Sequence, residues 1–344
     1  MIYAELDGYE PSGKIGDLLF GNGVYTDYTY NAKTARLTRI LTAQDTTPAA
    51  PVYMKRDYTY SFAGDIESIA NENGFIHTYT YDSLHRLTSE ESTDPNLVSQ
   101  ILKLDLAYDS GPLHASSSVK VNNGTEQIYQ TDANGNMDSF PDLTDPASTA
   151  LREIAYNADN MPDNIKRDTG AVPQLLASFL YDGYGKRAQK TANGTITYYI
   201  GDHYEIKNGI GVKYIFAGNL RVAMVKNGTV TYFHKDHLGS STLTTNATGN
   251  IVESADYMPY GGKRNSAATI GSSNYHFTDQ EWEPETGLYN YDARLYDPVI
   301  GRFVSADMIV QGGGIDPQML NRFAYVRNNP LIYVDPSGHY LDSS

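Results

Sequence analysis

The chain has 344 residues, a formal net charge of -15 and no cysteine. A disulfide framework, a thiolate metal site and a cysteine nucleophile are therefore excluded, and the acidity argues against nucleic acid, whose phosphates need clustered Lys and Arg. Tyrosine is heavily used, at 29 against 10 Phe and one Trp, which favours half-buried pleated surfaces where the ring packs and the hydroxyl finds a polar partner.

Met1 opens into Ile-Tyr-Ala-Glu-Leu with neither a basic n-region nor an apolar h-region, so no signal peptide is read here. No stretch reaches the length of a membrane-spanning helix. The chain starts inside what reads as a repeat, and the expectation is that it is the C-terminal piece of something longer.

The repeat is Tyr-x-Tyr-(Asp/Asn) followed by a basic-aliphatic pair. It stands as Tyr28-Thr-Tyr30-Asn31 with Arg36-Leu37 and as Tyr79-Thr-Tyr81-Asp82 with Arg86-Leu87. Weaker copies are Tyr58-Thr-Tyr60-Ser61, Tyr108-Asp109, Tyr156-Asn157 and Tyr181-Asp182 with Lys186-Arg187. Alternation puts the two rings on one face of a strand, and the Asp or Asn starts a turn by bonding the backbone ahead of it. Each unit is a hairpin that must stack on its neighbours to bury a face.

Asn-Gly occurs seven times, at Asn22, Asn73, Asn123, Asn134, Asn193, Asn208 and Asn227, the strongest short-range signal for a type I′ hairpin. Residues 194–200, 212–216, 220–225 and 229–233 read as successive antiparallel strands of a curling sheet. Helical character is confined to 94–106 and to 144–155, the latter with Thr144 or Asp145 as N-cap and Pro146 in the first turn.

From Tyr232 the motifs are denser: Tyr232-Phe-His234-Lys-Asp236-His237-Leu-Gly239, Tyr257-Met-Pro-Tyr260-Gly261 and His276-Phe-Thr-Asp279-Gln-Glu-Trp282-Glu-Pro284-Glu-Thr-Gly287. There follow Tyr289-Asn-Tyr-Asp-Ala-Arg294-Leu-Tyr-Asp297-Pro, Gly301-Arg302-Phe, Asp307, Asn321-Arg322-Phe, Asn329-Pro330 and Asp335-Pro336-Ser337-Gly338-His339. The Asp297-Pro turn and the closing Asp-Pro-Ser-Gly mark short strands joined by tight turns.

In this order the motifs resemble the RHS/YD-repeat family, which includes Rhs polymorphic toxins, the C subunits of insecticidal toxin complexes and, more distantly, the teneurins. The resemblance covers nearly the whole chain. It implies an all-β fold: YD-repeat hairpins at 1–231 forming a continuous curled sheet, part of a hollow shell, then a core-associated plug at 232–339. Residues 340–344 are the remnant where a toxin would begin.

The resemblance further implies self-cleavage by a pair of Asp residues assisted by an Arg thirteen positions before the first. Those positions match Arg294, Asp307 and Asp335, with the cut between His339 and Tyr340. The separation of Asp307 from Asp335 is five residues longer than the family pattern, an insertion read within 309–319, and His339 stands where the family has Leu. Such a site needs two carboxylates close enough for one to act as base and the other as acid. Without the resemblance, Asp335-Pro336-Ser337-Gly338 reads equally as an ordinary type I turn.

The implied partners are a C-terminal toxin cargo, a secretion-system or shell-completing partner and an immunity protein for the cargo. The implied location is secreted or at the cell surface, and no cofactor is expected. The alternative is a non-cleaving YD-repeat surface protein that binds carbohydrate through exposed tyrosines, or an inert scaffold. His234-x-x-His237 beside Asp236 has a metal-like composition. On a strand leading into a turn, however, the two rings do not share a face, and they are expected on turn backbone and tyrosine hydroxyls instead.

Overall fold

The computed structural model describes residues 2–6, 8–95, 104–107, 118–121, 126–142, 149–264, 271–309 and 317–343. Among them the regular elements are β-strands and short 3-10 turns, in five antiparallel sheets. Eight strands from Ala4–Leu6 to Leu87–Ser92 form the first sheet, and thirteen from Gln130–Thr131 to Ile251–Ser254 form another, each with spatial order equal to chain order. A three-stranded sheet of Leu104–Ala107, Ser118–Val121 and Gln127–Ile128 lies between them in sequence. It ends one residue before Tyr129, whose buried ring stacks on Phe140 with planes 4° apart. The all-β fold of stacked hairpins is as expected, and the sheets do not close into a barrel.

One interaction recurs through these hairpins. The Tyr just before the turn residue of each well-described unit ends its strand at a register shift, as at Thr59/Tyr60, Thr80/Tyr81 and Leu180/Tyr181. The bulge re-aims the ring across the sheet, and its hydroxyl donates to a carbonyl of the preceding hairpin. Tyr30 reaches Ile15 O at 3.1 Å, Tyr60 Leu37 O at 2.7 Å and Tyr81 Ile66 O at 2.9 Å. Tyr156 reaches Met137 O at 3.0 Å and Tyr181 Pro162 O at 2.8 Å. Burial pushes the Tyr30 and Tyr60 phenols up to about 12, so each stays a donor. The Asp or Asn that follows closes the turn as read from sequence: Asp82 Oδ1 accepts the amides of Leu84 and Arg86, and Asp182 Oδ1 those of Tyr184 and Lys186.

The Asn-Gly dipeptides divide into two kinds. At Asn193, Asn208 and Asn227 both residues have positive φ and the loop is two residues long, as a type I′ turn requires. At Asn22, Asn73 and Asn134 only the Gly is positive, so these are longer turns ending in a left-handed Gly; Asn123 lies outside the described residues. Tyr204–Lys207 is a further strand that the sequence reading passed over.

The helix expected at 144–155 is corrected where it can be seen. Leu151–Tyr156 is a strand in which Arg152 and Ile154 are buried and alternate with less buried neighbours, a period of two that overrides the capping signals before it. Residues 143–148 lie outside the described residues. So do 96–103 of the other expected helix, beyond which Leu104–Ala107 is strand.

The sheets curl until their parts meet. Leu18, Phe20 and Val24 of the first sheet pack with Val222, Val230 and Tyr232 of the thirteen-stranded one. The Asn22 side chain donates to Thr245 Oγ1 at 2.8 Å and to Asn246 O at 2.7 Å. The thirteen-stranded sheet runs through the 231/232 boundary read from sequence and ends at Ser254. Beyond it, four short strands, Glu281–Glu283, Leu288–Tyr291, Arg294–Asp297 and Arg302–Phe303, make a small sheet. Leu288, Leu295 and Val304 pack it on Phe140, Ile165 and Phe179 of the wall, and Leu331 carries it to Ile40 and Ile66 of the first sheet.

Buried charge fixes this packing. Arg187 of the wall pairs with Glu283, and Lys190 lies 3.2 Å from Glu281 and 3.1 Å from Glu285. Tyr199 donates to Glu281 at 2.8 Å, while Arg221 and Lys235 hold Asp279 at 3.1 and 2.6 Å. Burial alone would raise the Glu281 carboxyl, yet Lys190 and Arg187 bring it down to about 2.

Two substitutions separate these contributions in urea unfolding. Tyr181→Phe removes one hydroxyl contact and should cost about 1 kcal/mol. Arg187→Met leaves Glu283 buried beside no guanidinium and should cost about 3–5 kcal/mol.

Candidate functional site

Arg294 opens the third strand of the small sheet, and its guanidinium carbon sits over the Phe303 ring, 3.6 Å from the centroid. The ring packs on the guanidinium while its N–H groups find polar partners elsewhere. Nε donates to Gly338 O, Nη1 donates to Arg322 O at 2.9 Å, and Nη2 faces two carboxylates, Asp307 at 3.1 Å and Asp335 at 3.5 Å. All three side chains are buried. Burial draws the guanidinium down to about 10 while Asp307 and Asp335 pull it back up, so it remains charged at neutral pH.

Asp335 begins the Asp-Pro-Ser-Gly turn. Its Oδ1 accepts the amides of Ser337 at 3.1 Å, Gly338 at 2.7 Å and His339 at 3.2 Å, leaving Oδ2 for Arg294. Burial lifts its carboxyl above the ordinary carboxylate range, with Arg294 and the three amides working against that rise. Gly338 has φ +75°, and a Cβ there would collide with Tyr291 O, so this turn needs glycine on both counts. Ala293 N donates to Ser337 O at 3.2 Å, and the Gln280 side chain donates to Pro336 O at 3.2 Å.

Asp307 follows the Arg302–Phe303 strand. Its amide donates to Arg322 O at 2.9 Å, and Arg322 Nε returns a bond to Asp307 O. Its Oδ1 accepts from Ile309 N at 2.9 Å and lies 3.0 Å from His339 Nδ1. The structure thus brings Arg294, Asp307, Asp335 and His339 to one place, although 41 residues separate Arg294 from Asp335. A cavity of about 30 Å³ opens among Arg294, Asp307, Asp335, Met319 and Leu341, room enough for a water molecule. Past His339, Tyr333–Val334 pairs with Asp342–Ser343 as a two-stranded ribbon. Residues 310–316, within the expected insertion, lie outside the described residues.

Arg322, Phe303 and Gln280 were not singled out from sequence. Arg322 and Phe303 stand within recognisable motifs, but an Arg acting through its carbonyl leaves no mark in spacing. The histidines of the metal-like motif sit elsewhere. His234 is buried beside Thr245 at 2.9 Å and held neutral by burial, its pKa down to about 3. His237 lies 3.2 Å from the Tyr58 hydroxyl and 3.1 Å from Leu331 O. Among the described residues no group of His, Asp and Glu is arranged to hold a metal ion, and no helix is long and apolar enough to cross a membrane.

The chain is 28% identical, over 92% of its length, to toxin subunit YenC1 of Yersinia entomophaga, of which it covers 40%. It is 30% identical over 48% of its length to the tRNA nuclease WapA of Bacillus subtilis, covering 8% of that protein. The crystal structure of TcdB2-TccC3 superposes with a TM-score of 0.72 at 23% identity, over 96% of this chain and 19% of that one, a likeness of fold. No protein-family model matches. The chain spans about two fifths of the length of the toxin subunits it resembles.

Gly338→Ala tests how tightly the turn is held. Gly74 also has a positive φ, +80°, but a methyl group added there would meet nothing within 4 Å. Gly74→Ala should therefore cost about 1 kcal/mol, and Gly338→Ala at least about twice that in thermal unfolding.

Proposed function

We propose that this chain, which belongs to the RHS/YD-repeat family and is related to toxin-complex C subunits, is a section of shell wall carrying an intramolecular aspartic peptidase. The cut falls after Asp335-Pro336-Ser337-Gly338-His339. One observation carries the reading: a single guanidinium nitrogen of Arg294 faces both Asp307 and Asp335, while Arg294 and Asp335 grip the main chain just before the bond.

Asp335, lifted by burial, keeps its proton longer than an ordinary carboxyl and serves as the acid. Asp307 takes a proton from water, the oxygen attacks the His339 carbonyl carbon, and Asp335 supplies the proton that the departing Tyr340 amine needs. Arg294 neutralises the pair and fixes Gly338 O. The ordered turn holds the attacked peptide in place, so little entropy is lost on the way to reaction.

In the complete protein the wall encloses a toxin cargo that lies beyond the bond, with a second subunit completing the shell, as TcdB2 and TccC3 stand together in the similar structure. The setting is extracellular. The carbohydrate-binding alternative needs its repeat tyrosines exposed on an outer face, whereas Tyr58 and Tyr79 are buried and the hydroxyls of Tyr60 and Tyr81 are engaged.

Intact-mass measurement tests the cut. The wild-type chain should end at His339, and Asp307→Asn and Asp335→Asn should each keep residues 340–344 while retaining the wild-type circular dichroism. A chain that stays whole both as wild type and as His339→Leu sinks the reading and leaves an inert wall.

The pH dependence follows from the acid. Because the Asp335 pKa is raised, its proton is present at acid pH and is lost as pH rises through that value, and the rate falls with it, about tenfold per unit beyond. Cleavage followed by mass spectrometry during cell-free synthesis should be faster at pH 5.5 than at pH 8.5 by at least about tenfold.

A further inference from the structure

The side chain at the cleavage position takes no part in the steps above, yet both aspartates hold His339. Its backbone N–H donates to Asp335 Oδ1 at 3.2 Å, and its Nδ1 stands 3.0 Å from Asp307 Oδ1. Each aspartate thus grips the residue whose carbonyl is to be attacked, one through main chain and one through side chain. The ring is 29% exposed, so burial does not force it onto Asp307. Asp307 Oδ1 already accepts from Ile309 N, and Asp307 Oδ2 faces Arg294. Against an acceptor-only carboxylate, Nδ1 must carry the proton, whether the ring is neutral or charged.

We propose that His339 is a specificity-determining residue: its Nδ1–H seats the scissile residue on Asp307, so the site selects a donor at that atom position where the family pattern has the donorless Leu. This rests on the peptidase reading above. Losing a hydrogen bond to an ionised group lowers the fraction of molecules with the scissile residue seated by a roughly tenfold or larger factor, and the rate falls with that fraction. Geometry sets which side chains can replace it. Asn carries its amide nitrogen on Cγ, as Nδ1 is carried in His, whereas Gln places its nitrogen one atom farther out and reproduces the far side of the ring instead. Leu and Ala carry no donor.

The test is a cleavage time course during cell-free synthesis for wild type and for His339→Asn, Gln, Leu and Ala, with melting temperatures as a check on folding. The expected result is His339→Asn within about threefold of wild type, and Gln, Leu and Ala slower by roughly tenfold or more at unchanged melting temperature. A Leu variant that cuts as fast as wild type, or an Asn variant as slow as Ala, overturns the proposal while leaving the peptidase standing. If wild type stays whole and only the Leu variant cuts, the imidazole blocks the site and the proposal is wrong in sign. If no variant cuts, wild type included, the peptidase reading itself falls and this inference falls with it.

Discussion

A phenolic hydroxyl bonded to the main chain of the previous hairpin is what makes a wall out of repeats that cannot stand alone. A hairpin has one apolar face and two open edges, and in water it is marginal until a neighbour covers it. Here each Tyr-x-Tyr supplies both remedies. The first ring packs, as Tyr58 and Tyr79 do among Ile40, Ile66 and Ile69. The second, turned by a bulge, reaches back to a carbonyl where the preceding turn hands over to its strand, as the lone Tyr156 and Tyr181 also do: Leu37, Ile66, Met137 and Pro162 all begin strands. Each bond is modest, about 1 kcal/mol, but it also fixes register, since a one-residue slip would carry the ring to the other face.

The small sheet is held to this wall by a different means. Its edge strand reads Glu281-Trp282-Glu283, with the two acids buried against Arg187, Lys190 and Tyr199. Charges at such depth add little net stability compared with apolar side chains of the same size, yet they tolerate no substitution of one partner alone. They therefore define where the segment sits more than how firmly. Arg294 is the guanidinium of this segment that turns to its own acids instead of the wall, and Asp307 and Asp335 meet because of it.

Local chemistry was legible in the sequence, and long-range pairing was not. The turns opened by Asp82 and Asp182, and the hairpins at Asn193, Asn208 and Asn227, follow from one or two residues acting on their own backbone. The Arg294, Asp307 and Asp335 trio could be named only because a family pattern fixed their spacing; nothing periodic links them. Leu151–Tyr156 misled because Asp145-Pro146 looks like a helix start, while the deciding fact is Arg152, buried against Asp142 at the end of the paired strand and against Asp297 of the remote small sheet. The network around Glu281 was invisible for the same reason: its members are 82 to 94 residues apart, and each alone reads as a surface charge.

The ribbon that joins Tyr333–Val334 to Asp342–Ser343 straddles the bond between His339 and Tyr340. Main-chain hydrogen bonds on one side of that peptide are thus made to residues on the other. Under the proposed cut, severing a covalent link there and parting the two pieces would be separate events, the second with its own barrier. The new amino terminus would stay knitted in place until something pulled or competed it away.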